Sequence, residues 1–148
     1  MLSLRKNIQW TFVGNVIYSG CQWALLVTIA KTLGVEDLGR FSLAIAVVSP
    51  VFAFSNVNLR AVQATDVTEK FSFTEYLYFR LLCSSIALLI VGATTQIFSY
   101  ASDLALIVIA YAFIKYIESI SDVLFGLFQK HENMRAISTS LIIRGVIN

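Results

Sequence analysis

Four long, mostly apolar stretches recur along the chain: Ile8 to about Ala30, Phe41 to about Leu59, Tyr76 to Phe98, and Leu104 to Leu127. A hydrocarbon layer about 30 Å thick is crossed by roughly 20 helical residues at 1.5 Å each. In lipid every backbone amide must be satisfied within the protein, and a single helix does this by itself. The pattern therefore predicts an all-α, polytopic integral membrane protein whose solvent is the lipid bilayer. A fifth apolar run opens near Met134 and continues to Asn148. As helix it reaches only about 20 Å, short of a crossing. The expectation is about five transmembrane helices, the last incomplete, in a single transmembrane domain over residues 1–148.

Composition supports that class. Hydrophobic residues make up 57% of the chain and charged residues 14%, against about 45–50% and 25% in soluble domains. Mean hydropathy is +0.76. The first run is too long for a cleaved signal, is interrupted by Asn15 and Gln22, and precedes no small-residue cleavage site, so it reads as an uncleaved span. With 11 basic and 9 acidic residues the net charge is +2, too little field to hold nucleic acid. Cys21 and Cys83 lie in separate apolar runs, where they read as small core residues. His131 sits alone in a polar stretch, so neither a metal nor another cofactor is expected. Phosphate-loop, zinc-protease and nucleophile-elbow motifs are missing, and no enzyme is predicted.

Orientation follows the basic residues. Arg5 and Lys6 precede the first span, Arg60, Lys70 and Arg80 flank the second-to-third connection, and Lys130 and Arg135 the fourth-to-fifth. Lys31 and Arg40 alone mark the first-to-second loop, and Ser99–Asp103 has no basic residue. The bias puts the amino terminus in the cytoplasm, together with the connection carrying Asp66, Glu69, Lys70 and Glu75. Arg80 reads as a positive-inside anchor. Trp10 and Tyr100 fall near predicted interfaces, and Pro50 should kink the second span.

The fourth span contains residues that lipid rejects. Lys115, Glu118 and Asp122 fall within an arc of about 60°, and Tyr111 and Gln129 extend the stripe. Leu106, Ile109, Phe113, Ile117, Ile120 and Leu124 form the opposite face. Each charge costs about 2.5–3.5 kcal/mol at mid-bilayer. Either Lys115 and Glu118 neutralise one another while Asp122 bonds a neighbouring helix, or all three line a polar path. Thr11, Asn15, Tyr18 and Gln22 make an uncharged stripe on the first span, which can bond adjacent helices or line the same path.

Three segments carry a resemblance. Ala30-Lys31-Thr32-Leu33-Gly34-Val35-Glu36-Asp37-Leu38-Gly39-Arg40-Phe41-Ser42 is similar to the first loop of bacterial polysaccharide flippases of the O-antigen type. These belong to the multidrug/oligosaccharidyl-lipid/polysaccharide exporter superfamily. The block from Asn58-Leu59-Arg60 through Asp66 to Tyr76 and Arg80 resembles them as well, and so does Gln129-Lys130-His131-Glu132-Asn133-Met134. The resemblance implies two pseudo-symmetric helical bundles around a central cavity, in the bacterial cytoplasmic (inner) membrane. It also implies flipping of undecaprenyl-diphosphate-linked oligosaccharide for surface polysaccharide or lipopolysaccharide, with other polysaccharide assembly proteins as partners.

On that resemblance the chain is an amino-terminal fragment, part of the first bundle, and is expected not to transport alone. Basic side chains can hold the diphosphate and carboxylates can exchange a proton or coupling ion. The candidates are Lys115, Arg60 and Arg144 for the lipid-linked oligosaccharide, and Glu118 and Asp122 for the coupling ion. Tyr111, Asn15, Tyr18 and Gln22 are candidate cavity lining. One lysine against two carboxylates gives the fourth-span stripe a charge of −1, which argues toward a different cargo. An exporter of small cationic or amphipathic molecules is therefore an alternative, as is a membrane enzyme of envelope polysaccharide assembly.

Overall fold

The protein is described by a computed structural model covering residues 4–66 and 70–147. Glu69 and Asn148 lie outside the described residues. All regular structure among the described residues is helical: α1 Leu4–Thr32, α2 Val35–Ser55, α3 Leu59–Thr65, α4 Phe73–Ile97, α5 Ser102–Lys130 and α6 Met134–Ile147. Four segments are long and apolar enough to cross a membrane, namely Arg5–Thr32, Val35–Thr65, Phe73–Ile97 and Ser102–Lys130. The 14 residues of α6 reach about 21 Å, less than a crossing. The protein is a multi-pass helical membrane protein, as its apolar runs imply.

Large apolar side chains point outward: Phe12 is 69% exposed, Leu89 73% and Leu106 70%. Apart from Phe52, small or branched ones fill the interior of the α2–α4–α5 contact. Ala44, Val48 and Phe52 of α2 meet Ala87 and Val91 of α4 and Val108 and Ala112 of α5. Short side chains let these helices approach closely, which is the main attraction where lipid is as apolar as the protein. The Ser84 and Ser119 hydroxyls share a hydrogen bond of 2.5 Å across α4 and α5.

A second unit is built from α1 and α6. A methyl group on Gly14 would come 2.8 Å from Cα of Ser138, and one on Gly145 would come 3.2 Å from Cβ of Cys21. The Ser138 hydroxyl donates to the Trp10 carbonyl at 2.6 Å. Gly34, at φ 95°, turns the chain from α1 into α2. α1 packs along α6 and touches α2 but leaves α5 at a distance. Side chains line the space so formed.

The second apolar run departs from the expected boundaries. Its helix passes through Pro50 and ends at Ser55 rather than near Leu59, so the interruption falls at Asn56 to Asn58. Val57 and Asn58 adopt left-handed backbone, φ 45° and 51°, a conformation uncommon for a β-branched residue. Arg80 holds the break in place. Its Nη1 donates to the Asn56 side-chain oxygen at 2.5 Å and to the Asn56 carbonyl at 3.3 Å.

The resembling loops have local structural work. Arg40 pairs with Glu36 and Asp37 in the first turns of α2. Asp66 accepts bonds from the backbone N–H of Lys70 and the hydroxyl of Tyr76. Ser72 and Glu75 close a capping box at the start of α4. Asn133 accepts from the Ala136 N–H as α6 begins. Cys21 and Cys83 are free thiols.

Candidate functional site

The polar stripe of α5 faces inward, and its apolar counterpart, including Leu106, Phe113, Ile117 and Leu124, faces out. From the inward stripe two linked ion clusters grow. Lys115 Nζ lies 2.7 Å from Glu118 Oε2, and Arg144 of α6 bonds the other Glu118 oxygen. One turn further along, Asp122 takes Arg80 of α4 at 2.5 Å and Arg60 of α3 at 3.5 Å. Arg60 is fixed from behind by Gln129, whose side-chain oxygen accepts from Nε at 3.0 Å, and it lies over the Phe125 ring. Both readings of the stripe are thus present together: Lys115 and Glu118 do pair, and they line a cavity with Asp122.

That cavity, of about 220 Å³, is bounded by Lys115, Glu118, Asp122 and Arg144, with Asn56 and Ser119 between them. A second, of about 210 Å³, shares Lys115 and Glu118 and reaches between α1 and α5 to Tyr18, Gln22 and Tyr111. The Lys115 ammonium lies 5.4 Å from the Tyr111 ring centre, and the Arg144 guanidinium 5.2 Å from that of Tyr18. Arg144 also donates to the Tyr18 hydroxyl at 3.3 Å. Aromatic faces attract cations and hold these long side chains in place without removing their charge.

Of the residues singled out on sequence grounds, Arg60 reaches Asp122 without lining either cavity, and Asn15 does not join the group. Its amide donates to the Thr11 carbonyl of its own helix at 2.7 Å. Together with Thr11 it borders a separate groove against Glu132 and Met134. The uncharged stripe of α1 therefore divides: its first half faces the α5–α6 turn and its second half faces the cavity.

Arg80 corrects a sequence expectation. Instead of anchoring at the membrane surface it is 1% exposed and bridges Asp122 and Asn56. The sequence did carry a signal for this. Arg80 shares an i, i+4, i+7, i+11 face with Ser84, Ala87 and Val91, and small residues on one face mark close helix packing. Counting Arg60, Arg80 and Arg144 with the stripe changes its charge. Four cations stand against two carboxylates, so −1 becomes +2. Among the described residues no group of His, Cys, Asp and Glu could hold a metal ion.

Comparison with known proteins agrees with the resemblance of the loops. Residues 4–147 match the family described as "Polysaccharide biosynthesis protein". A relative, "Capsular polysaccharide biosynthesis protein CapF" of Staphylococcus aureus, is 31% identical over 143 residues, covering 97% of this chain. The chain spans 35% of that relative's length. No solved structure matches. From its apolar architecture to its loop segments, the chain belongs to the polysaccharide biosynthesis protein family.

Proposed function

We propose that the chain serves surface polysaccharide export, taking part in the movement of a saccharide linked to a polyprenyl diphosphate from the cytoplasmic to the outer leaflet of the bacterial cytoplasmic membrane rather than completing that movement alone. In this reading the amino terminus is cytoplasmic, the cargo is undecaprenyl-diphosphate-linked oligosaccharide, and the protein hands it on to other polysaccharide assembly proteins. It helps carry the cargo across without making or breaking a covalent bond.

One observation supports this above the others: each carboxylate at the cavity has one cation more than neutrality requires. Arg144 alone balances Glu118, and Arg80 alone balances Asp122. The second cations, Lys115 and Arg60, are partly exposed, and neither is needed to neutralise its carboxylate. Lys115, which lines both cavities, is therefore available to an anion, and a diphosphate supplies several strong acceptors. The surplus disfavours small cations as cargo.

Depleting the protein from cells that carry it separates the readings. Loss of a flippase should accumulate lipid-linked saccharide on the cytoplasmic face, closed to reagents added outside. Loss of a polymerising enzyme would leave single units exposed on the outer face. Loss of an exporter of small cations would leave surface polysaccharide at its normal level. Either of the last two results would refute the proposal.

A further inference from the structure

We infer that the second cavity, between α1 and α5, is a receptor for one uncharged sugar ring of the cargo, with Gln22 as the residue that reads its hydroxyls. The inference rests on the export reading above and assigns the part of the site that the charges leave unexplained.

The two cavities differ in chemistry although they share Lys115 and Glu118. The first carries Arg144, Asp122 and Asn56 in addition, so its walls are charged. In the second, the shared pair lies at 2.7 Å, and the remaining walls carry no charge: Tyr18, Gln22, Phe41 and Tyr111 with aliphatic neighbours. Phe41 meets Tyr111 edge to face, centres 5.7 Å apart at 78°, and this makes a stiff aromatic wall. At about 210 Å³ the space lies below the roughly 300–1,000 Å³ of sites for drug-sized ligands. It suits a single ring.

Gln22 supplies the recognition. Its amide, half-buried on the cavity wall, has no protein hydrogen-bond partner among the described residues. A free amide beside an aromatic wall suits a pyranose: the ring's C–H face packs on the aromatics while its hydroxyls both donate to and accept from one side chain. Lys115 stands at the junction of the two cavities. A diphosphate in the first therefore places the sugar attached to it at the mouth of the second. A site that bonds hydroxyls rejects a ligand lacking them, because its own polar groups then go unpaired.

The test measures binding of two probes to the protein in lipid nanodiscs: polyprenyl diphosphate, and the same lipid carrying one hexose. The wild type should bind the hexose-bearing lipid about three- to tenfold more tightly, the worth of one or two hydrogen bonds. Gln22→Leu should abolish that preference and leave affinity for the bare diphosphate unchanged. Tyr111→Leu, which removes the aromatic face and leaves Gln22 in place, should reduce it. Equal affinity of the wild type for both probes would overturn the assignment, as would an undiminished preference in Gln22→Leu. Binding of neither probe would instead refute the anionic-cargo reading, and the sugar receptor with it.

Discussion

Arg80 and Lys115 are both basic residues in apolar helices, yet their surroundings give them different tasks. Arg80 is enclosed, and it holds Asp122, the Asn56 side chain and the Asn56 carbonyl at once. Removing one member of a buried pair costs about 3–5 kcal/mol. Arg60 remains beside the partly exposed Asp122, so Arg80→Met should fall near the low end, about 3 kcal/mol. The expected readout is a lower unfolding temperature in detergent and less protein in the membrane; wild-type stability would remove Arg80 from its structural role. Arg80→Lys should recover only part of the loss, because a single ammonium does not reproduce the fork of a guanidinium. The sequence left Arg80 open to a surface reading because a basic residue early in a span is what the positive-inside bias leads one to expect. Its true environment is set by Asn56 and Asp122, which lie 24 and 42 residues away. Lys115, by contrast, was recognisable, since Glu118 and Asp122 mark its face within the same helix.

At the scale of helices, the spans were legible because each needs only its own apolar length to satisfy its backbone. Pairing between helices was not. Nothing in the apolar pattern says that α1 lies along α6, since Gly14, Ser138, Cys21 and Gly145 acquire meaning only when their backbones meet. The break at Asn56 was equally hidden, because it depends on a contact from α4 rather than on Pro50. The α1–α6 pairing yields a chemical test with a native cysteine as one partner. A Cβ at position 145 would lie 3.2 Å from that of Cys21, slightly below the usual 3.5–4.5 Å of disulfides, a difference that a small separation of the two helices closes. Gly145→Cys should therefore join α1 to α6 under mild oxidation, detectable by mass spectrometry of the linked peptides, while Cys83 stays free. Failure to form that link would contradict the α1–α6 packing.

Across the whole molecule, the polar side chains gather where the α1–α6 pair faces the α2–α5 bundle. Sequence periodicity revealed both polar stripes, and the α5 stripe taken alone sums to −1. Charge along one helix omits what neighbouring helices contribute, and here α3, α4 and α6 bring three arginines to the two carboxylates of α5. The central claim is that the surplus positive charge serves the cargo and not the fold. Lys115→Met tests it most directly, because the side chain keeps its approximate bulk and Arg144 still neutralises Glu118. The measurement is surface polysaccharide output, set against the amount of protein in the membrane, in cells whose export depends on this protein. The account predicts output at least tenfold lower, the effect of losing about 1.4 kcal/mol or more of cargo interaction, with the protein level unchanged. Wild-type output from Lys115→Met would contradict it and leave the cation as part of the scaffold.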